Sequence, residues 1–151
     1  MAHRRVNQIY DRVLSVEISA TKVKRLVYLL VANRPIRYQR NYSRILYVGT
    51  TEKGIRRVAQ SASRRIVDAR RELNGIRRLD AYVIWVRTKA GPQSKKGMNF
   101  WRILERAVLL RFRELYNEPP HLNGTGHKMK ERNEFDVFRR RAIDRIILRY
   151  T

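Results

Sequence analysis

Apolar positions fall into three strand-sized blocks and three longer runs at helical spacing. Thr21 to Ala32 predicts the first strand. From Leu26 onward both parities are apolar, with Leu26, Tyr28 and Leu30 on one side and Val27, Leu29 and Val31 on the other, so this strand belongs in the middle of its sheet. Ile45 to Val48 predicts a second strand, antiparallel to the first, and Gly49 breaks it. A helix follows from about Glu52 to Leu73. Thr50 or Thr51 suits its cap, and Asn74-Gly75, which tolerates left-handed backbone angles, suits its end. Asp80 to Arg87 alternates Ala81, Val83 and Trp85 against Tyr82, Ile84 and Val86, which predicts the third strand.

The later chain reads as helical. Asn99 to Tyr116 places Trp101, Leu104, Val108, Leu109 and Phe112 on one face, and Pro119-Pro120 closes the unit. From about Glu131 to Tyr150, Phe135, Phe138, Ala142, Ile146 and Tyr150 recur on one face and predict a last helix. Ile9, Val13 and Val16 suggest a short helix behind a basic N-terminal arm. The expected fold is an α/β chain of the α+β type: a small, mainly antiparallel three-stranded sheet flanked by helices, with a helix added at the C-terminus. Residues 1–20 read as arm and short helix, 21–125 as the main domain, and 126–151 as a helical extension packed on it.

Charge narrows the class of partner. The chain has 151 residues; 35 Lys and Arg minus 13 Asp and Glu gives +22, with a pI of about 11.4. So large an excess repels itself in the folded state and favours a polyanion, with nucleic acid first. There is no cysteine, which excludes disulfides and thiolate metal sites. His3, His121 and His127 are too scattered for zinc. No apolar run nears the ~18 residues of a membrane span, so no membrane partner is expected. The expected location is intracellular: cytoplasmic, nucleoid-associated or organellar.

The segment from Ile45 to Arg65 places a tyrosine at a strand end and turns directly into a helix bearing Arg56, Arg57, Arg64 and Arg65. A phenol, guanidinium groups and the N–H groups of a helix start then lie close together, an arrangement suited to phosphate. Asn33 to Arg44 mixes bases with aromatics (Arg34, Arg37, Tyr38, Arg40, Tyr42) and reads as a loop or ribbon facing nucleic acid. Lys95 and Lys96 add a basic loop. The expected nucleic-acid contacts are Arg34, Arg37, Arg40, Arg56, Arg64, Lys95 and Lys96.

The order of elements, Leu26-Val27-Tyr28 in the first strand, Tyr47-Val48-Gly49 in the second, Arg57 in the helix, Glu105 in the next helix and Asn123 beyond it resemble the GIY-YIG nuclease family. The resemblance covers about residues 24–125. It departs from the family pattern in lacking the glycine before Tyr28, in a 19-residue separation of the tyrosines, and in Ser61 one turn after Arg57. It implies a divalent-metal-dependent endonuclease that hydrolyses DNA phosphodiester bonds. Tyr28 would act as general base if cations lower its pKa, Tyr47 would orient water or phosphate, and Arg57 would neutralise phosphoryl charge. Glu105 would hold Mg²⁺ or Mn²⁺, and Asn123 would fix the strand or the Glu105 loop. Arg56 competes with Arg57, and Asn117 with Asn123. A single site cuts one strand, so the active form is a monomer or a homodimer. The alternative is a non-catalytic, ribosome-associated RNA-binding protein on the same fold.

Overall fold

The strand richest in apolar residues, β1 (Leu26–Arg37), occupies the centre of a three-stranded antiparallel sheet of order β2-β1-β3. The computed structural model describes residues 12, 14–87, 99–124 and 126–151. The flanking strands are β2 (Tyr42–Thr51) and β3 (Leu79–Ile84). Helix α1 (Ile55–Glu72) joins β2 to β3, and α2 (Phe100–Tyr116), α3 (Glu134–Val137) and α4 (Arg140–Leu148) follow. The residues of the arm, Ile9 and Val13 lie outside the described residues, as do Lys95 and Lys96.

The two parities of β1 enter different layers. Leu26, Tyr28 and Leu30 form a small cluster with Val58 of α1. Val27, Leu29 and Val31 join the main core with Trp101, Leu104, Val108 and Phe112 of α2 and Ile143 and Ile147 of α4. The sheet is therefore covered on both faces, which is why both parities are apolar. Among the described residues no helix is long and apolar enough to cross a membrane.

Several boundaries differ from expectation. Ile18–Lys22 forms a 3-10 turn, so β1 starts five residues later than its pattern suggested. It then runs on to Arg37, and the basic–aromatic stretch is the extended end of the β1–β2 hairpin. Pro35 is accommodated because pairing with β3 stops at Ala32 and pairing with β2 skips from Val31 to Ile36, so no ladder hydrogen bond is lost there. Thr51 stays in β2 and accepts the Lys53 N–H at 2.9 Å; the N-cap of α1 is Gly54, at φ +71°, with no side-chain cap. The expected single C-terminal helix is two, broken at Phe138–Arg139, whose backbone is extended. The face that α4 buries is Ile143 and Ile147, one residue on from the predicted Ala142 and Ile146, because the break resets the phase.

Ion pairs tie the C-terminal helices to α2. Arg111 grips Asp144 with Nε–Oδ1 at 2.5 Å and Nη2–Oδ2 at 3.2 Å. Arg140 bridges Glu114 and Glu131. Arg106 pairs with Glu134, whose side chain is 1% exposed. Burial pushes the Glu134 pKa up, but the Arg132 N–H and the Arg106 guanidinium outweigh it and hold the carboxyl below its ordinary range. A depressed folded-state pKa contributes stability above the unfolded value of about 4.3, and the contribution is lost as pH falls through the folded value. Glu134→Gln is therefore expected to lower the unfolding free energy by about 2 kcal/mol at pH 7. Urea denaturation across pH checks this: the deficit should shrink below about pH 4. A deficit that ignores pH would assign the loss to packing.

Candidate functional site

Gly49 stands opposite Tyr28 in the β1–β2 ladder. A Cβ at this position would lie 2.6 Å from Tyr28 Cζ, 2.6 Å from Tyr47 Cε1 and 2.7 Å from the Tyr28 hydroxyl. The missing side chain is the space the two phenols share. Their rings meet at 5.9 Å, tilted by 44°. Tyr28 donates to Ser61 Oγ at 2.9 Å. Helix α1 thus reaches the tyrosine pair with Ser61 and, one turn earlier, Arg57. Arg65 of the same helix stacks on Tyr47, its guanidinium carbon 4.4 Å from the ring centre.

The electrostatics of Tyr28 run against the expected general base. Burial is the largest influence and raises its pKa above 10; the Ser61 hydrogen bond and the Arg57 charge lower it by less, and Tyr47 raises it further. Tyr28 is a neutral phenol at pH 7. The expected lowering by cations is corrected here: Arg57 acts on a hydroxyl already withdrawn from water.

Asn123 joins the site from outside the sheet. Its Oδ1 accepts the Val48 N–H at 2.9 Å and its Nδ2 donates to the Val48 carbonyl at 2.9 Å. With Leu122 N–H on the Leu46 carbonyl at 2.9 Å, it occupies the open edge of β2, next to Gly49. The competing Asn117 ends α2 in the left-handed conformation, at φ +63°, and donates to Gln39 at the hairpin tip.

An open cleft of about 560 Å³ lies where the end of β2, the first turns of α1 and the start of α2 meet. Thr50, Lys53, Arg57, Gln60, Trp101 and Arg102 are among its walls. Glu52 lines it too, 4.0 Å from Arg102, so the cleft sets three cations against one carboxylate, a positive balance that suits a phosphodiester. Trp101 is covered by Arg25, at 4.9 Å from its ring. Glu105, one turn on from Trp101, is mostly buried, and no ion pair or hydrogen bond of its carboxylate is present among the described residues. Burial pushes its pKa up to about 7, against the lowering charges of Arg102 and Arg106. Arg106 is held by Glu134 instead. Among the described residues no three His, Asp or Glu side chains gather.

The structure therefore pairs Tyr28 with Tyr47, links Asn123 to their strand through Val48, and places Arg57 near enough for its charge to bear on Tyr28. Glu105 makes no hydrogen bond or ion pair to this group among the described residues; it lies one turn from Trp101 of the cleft wall. The expected nucleic-acid residues separate. Arg34 donates to the Asn74 carbonyl and braces the α1–β3 connection. Arg37 stacks on Tyr42, and Arg40 lies at a hairpin tip folded against the end of α2, where its N–H binds the Tyr116 carbonyl. Arg56 and Arg64 are exposed on α1. His121 stacks on Tyr38 at 4.1 Å, away from the cleft residues. Sequence reasoning missed the roles of Ser61 and Arg65; both follow Arg57 at one- and two-turn spacing, and that was the available signal. Trp101 read as core, and only the cleft gives its edge a second neighbourhood.

No protein-family model, curated protein or solved structure matches this chain.

The close approach at Gly49 gives a direct test. Gly49→Ala is expected to force the phenols apart and to lower stability by about 1–3 kcal/mol. Thermal unfolding reads the stability, and near-ultraviolet circular dichroism reads the tyrosine pair. An unchanged tyrosine signal would mean the pair does not depend on this vacancy.

Proposed function

We propose that the chain is a divalent-metal-dependent endonuclease acting on DNA phosphodiester bonds. The observation that carries the reading is the pair of phenols seated on Gly49, with Arg57, whose charge bears on Tyr28, in the wall of a neighbouring cleft that also holds Lys53 and Arg102. Hydrolysis of a phosphodiester needs a positioned water, charge placed against the phosphoryl oxygens, and help for the leaving oxygen. Arg57, with Lys53 and Arg102, supplies the second.

The residues fit a hard divalent ion. Glu105 is a half-buried carboxylate without a partner among the described residues, and a cation would offset the burial that raises its pKa. Mg²⁺ or Mn²⁺ keeps several waters and takes few protein ligands, so one carboxylate suffices. Such an ion, when bound, polarises the scissile phosphate and neutralises charge on the leaving oxygen. The chain's own groups do the rest. Tyr47, fixed by Arg65, and Tyr28, fixed by Ser61, orient the attacking water through their hydroxyl oxygens. Asn123 holds Val48, and with it Gly49, in place. Nucleic acid as partner and an intracellular location go with this reading.

A second reading, a non-catalytic RNA-binding protein on the same frame, is favoured by one observation: Tyr28 is held neutral, with its proton donated to Ser61. Plasmid nicking in Mg²⁺ and Mn²⁺ separates the two. The nuclease reading expects nicking that Glu105→Ala abolishes and Tyr28→Phe lowers at least a hundredfold. Tight RNA binding without nicking in either metal would replace it.

The raised pKa of Tyr28 gives the pH profile a direction. If its phenolate takes the proton from water, the reactive fraction rises about tenfold per pH unit with no plateau below pH 10. Nicking rates from pH 7 to 9.5 are expected to follow that slope, and Tyr28→Phe is expected to remove it. A profile already flat at pH 8 would assign the proton transfer to another group.

A further inference from the structure

The arginines of this chain are unequally engaged. On the α2–α4 side several are held: Arg106 by Glu134, Arg111 by Asp144, Arg140 by Glu114 and Glu131, and Arg113 by the carbonyls of Gly126 and Met129 at 2.6 Å each. Arg139, Arg141 and Arg145 are exposed there and carry no ion pair among the described residues. Seven of the 13 acids fall between Glu105 and Asp144. On α1 most arginines are unpaired. Arg56, Arg57, Arg64, Arg70 and Arg71 are exposed and carry no ion pair among the described residues; Asp68 pairs with Arg65 at 3.7 Å.

These side chains share one side of the helix. At 100° per residue, Arg56, Arg64, Arg70, Arg71 and Arg57 fall within an arc of about 140°. The buried Val58 and Ala69 fall opposite, and the buried Ser61 lies at the boundary, about 40° beyond Arg57. From Arg56 to Arg71 the helix rises about 22 Å, a distance over which one strand of a duplex presents about six phosphates. The arrangement also works against the free helix. Arg56 and Arg57 lie in the first turn, where the macrodipole is positive, and no acid or side-chain cap offsets them. Adjacent arginine pairs recur at 56–57, 64–65 and 70–71. A face this costly to the isolated fold is compensated by a polyanion.

We infer that the outer face of α1, from Arg56 to Arg71, is a backbone-tracking surface for double-stranded DNA, extending the contact beyond the cleft. It rests on the nucleic-acid partner proposed above. The helix contains no aromatic residue, so the base stacking that holds single strands is lacking. Guanidinium groups spread along one side of a helix that rises about 22 Å can follow the regular phosphates of a duplex. Such contact is independent of sequence and sets the register in which DNA enters the cleft.

Fluorescence anisotropy with a 30-base-pair duplex over a salt series tests this on the full chain. The variant Arg64→Gln with Arg70→Gln and Arg71→Gln is expected to bind about ten- to a hundredfold more weakly and to lower the salt slope by 2 to 3, about 0.9 per lost phosphate contact. The matching triple Lys variant is expected to recover most of the binding. Arg56→Gln is expected to weaken binding while leaving the melting temperature equal or higher, since a cation leaves the positive end of the helix. A role in folding alone would lower both. Unchanged affinity and slope in the Gln variant, with the native chain binding normally, would overturn the α1 surface and leave the nuclease reading standing. A native chain that binds single strands far better than duplex would overturn the surface too. A native chain that binds no nucleic acid, or that binds only anionic vesicles, would overturn both.

Discussion

Everything in this fold hangs on β1 being buried on both faces by unlike layers. The α2–α4 face is deep: α2 alone buries eight side chains of its 17 residues. The α1 face is shallow, with three buried residues in 18. Tyr28 points into the shallow layer, and that choice of parity puts a phenol near an exposed helix rather than in the main core. A slip of one position would exchange Tyr28 for Val27 or Leu29 and bury no hydroxyl at all. The register is in turn held by the edge of β2, where Asn123, Leu122 and the Tyr150 carbonyl stand in for a missing strand.

A net charge of +22 would ordinarily weaken a domain of 151 residues. The chain tolerates it by placing its acids where they fasten elements. Glu134 and Asp144 convert the arginines of α2 from repelling charges into links with α3 and α4. On α1 such carboxylates are scarce, and Arg56, Arg57, Arg64, Arg70 and Arg71 stay exposed without an ion pair among the described residues. The same sequence feature, abundant arginine, thus has two physical meanings, and only the neighbouring carboxylate distinguishes them.

That distinction explains what the sequence could reveal. The strands, their antiparallel order and the central place of β1 were legible, because two-sided apolar alternation has few other causes. That Tyr28 and Tyr47 share one site was only implied by the family resemblance; the apposition of Gly49 to Tyr28 depends on the strand register, which periodicity alone does not fix. The break at Phe138–Arg139 was not legible: the apolar period continues across it, and no Gly or Pro marks it. The length of the hairpin was hidden by Pro35, which sits where neither neighbour needs its N–H. Arg34, equal in composition to Arg56, binds a carbonyl 40 residues away, and nothing local announces that. The condition set for Tyr28 as a base, a pKa lowered by cations, could not be judged from the sequence, because burial, which local pattern does not measure, is the larger influence.

The shallow attachment of α1 connects these points. Ser61 and Arg57 reach the tyrosines from this helix, so the geometry at the cleft is only as firm as its contact with the sheet. That contact is Val58, Ser61, Ala69 and partly buried neighbours such as Ile55 and Ala62. Elements with few buried contacts open at low free energy. The first turn of α1 also opposes its own macrodipole. A phosphate backbone laid along the outer face would remove the repulsion between arginines and press the helix toward the sheet. Binding of a polyanion on the outer face would thus steady the helix that carries Ser61 and Arg57.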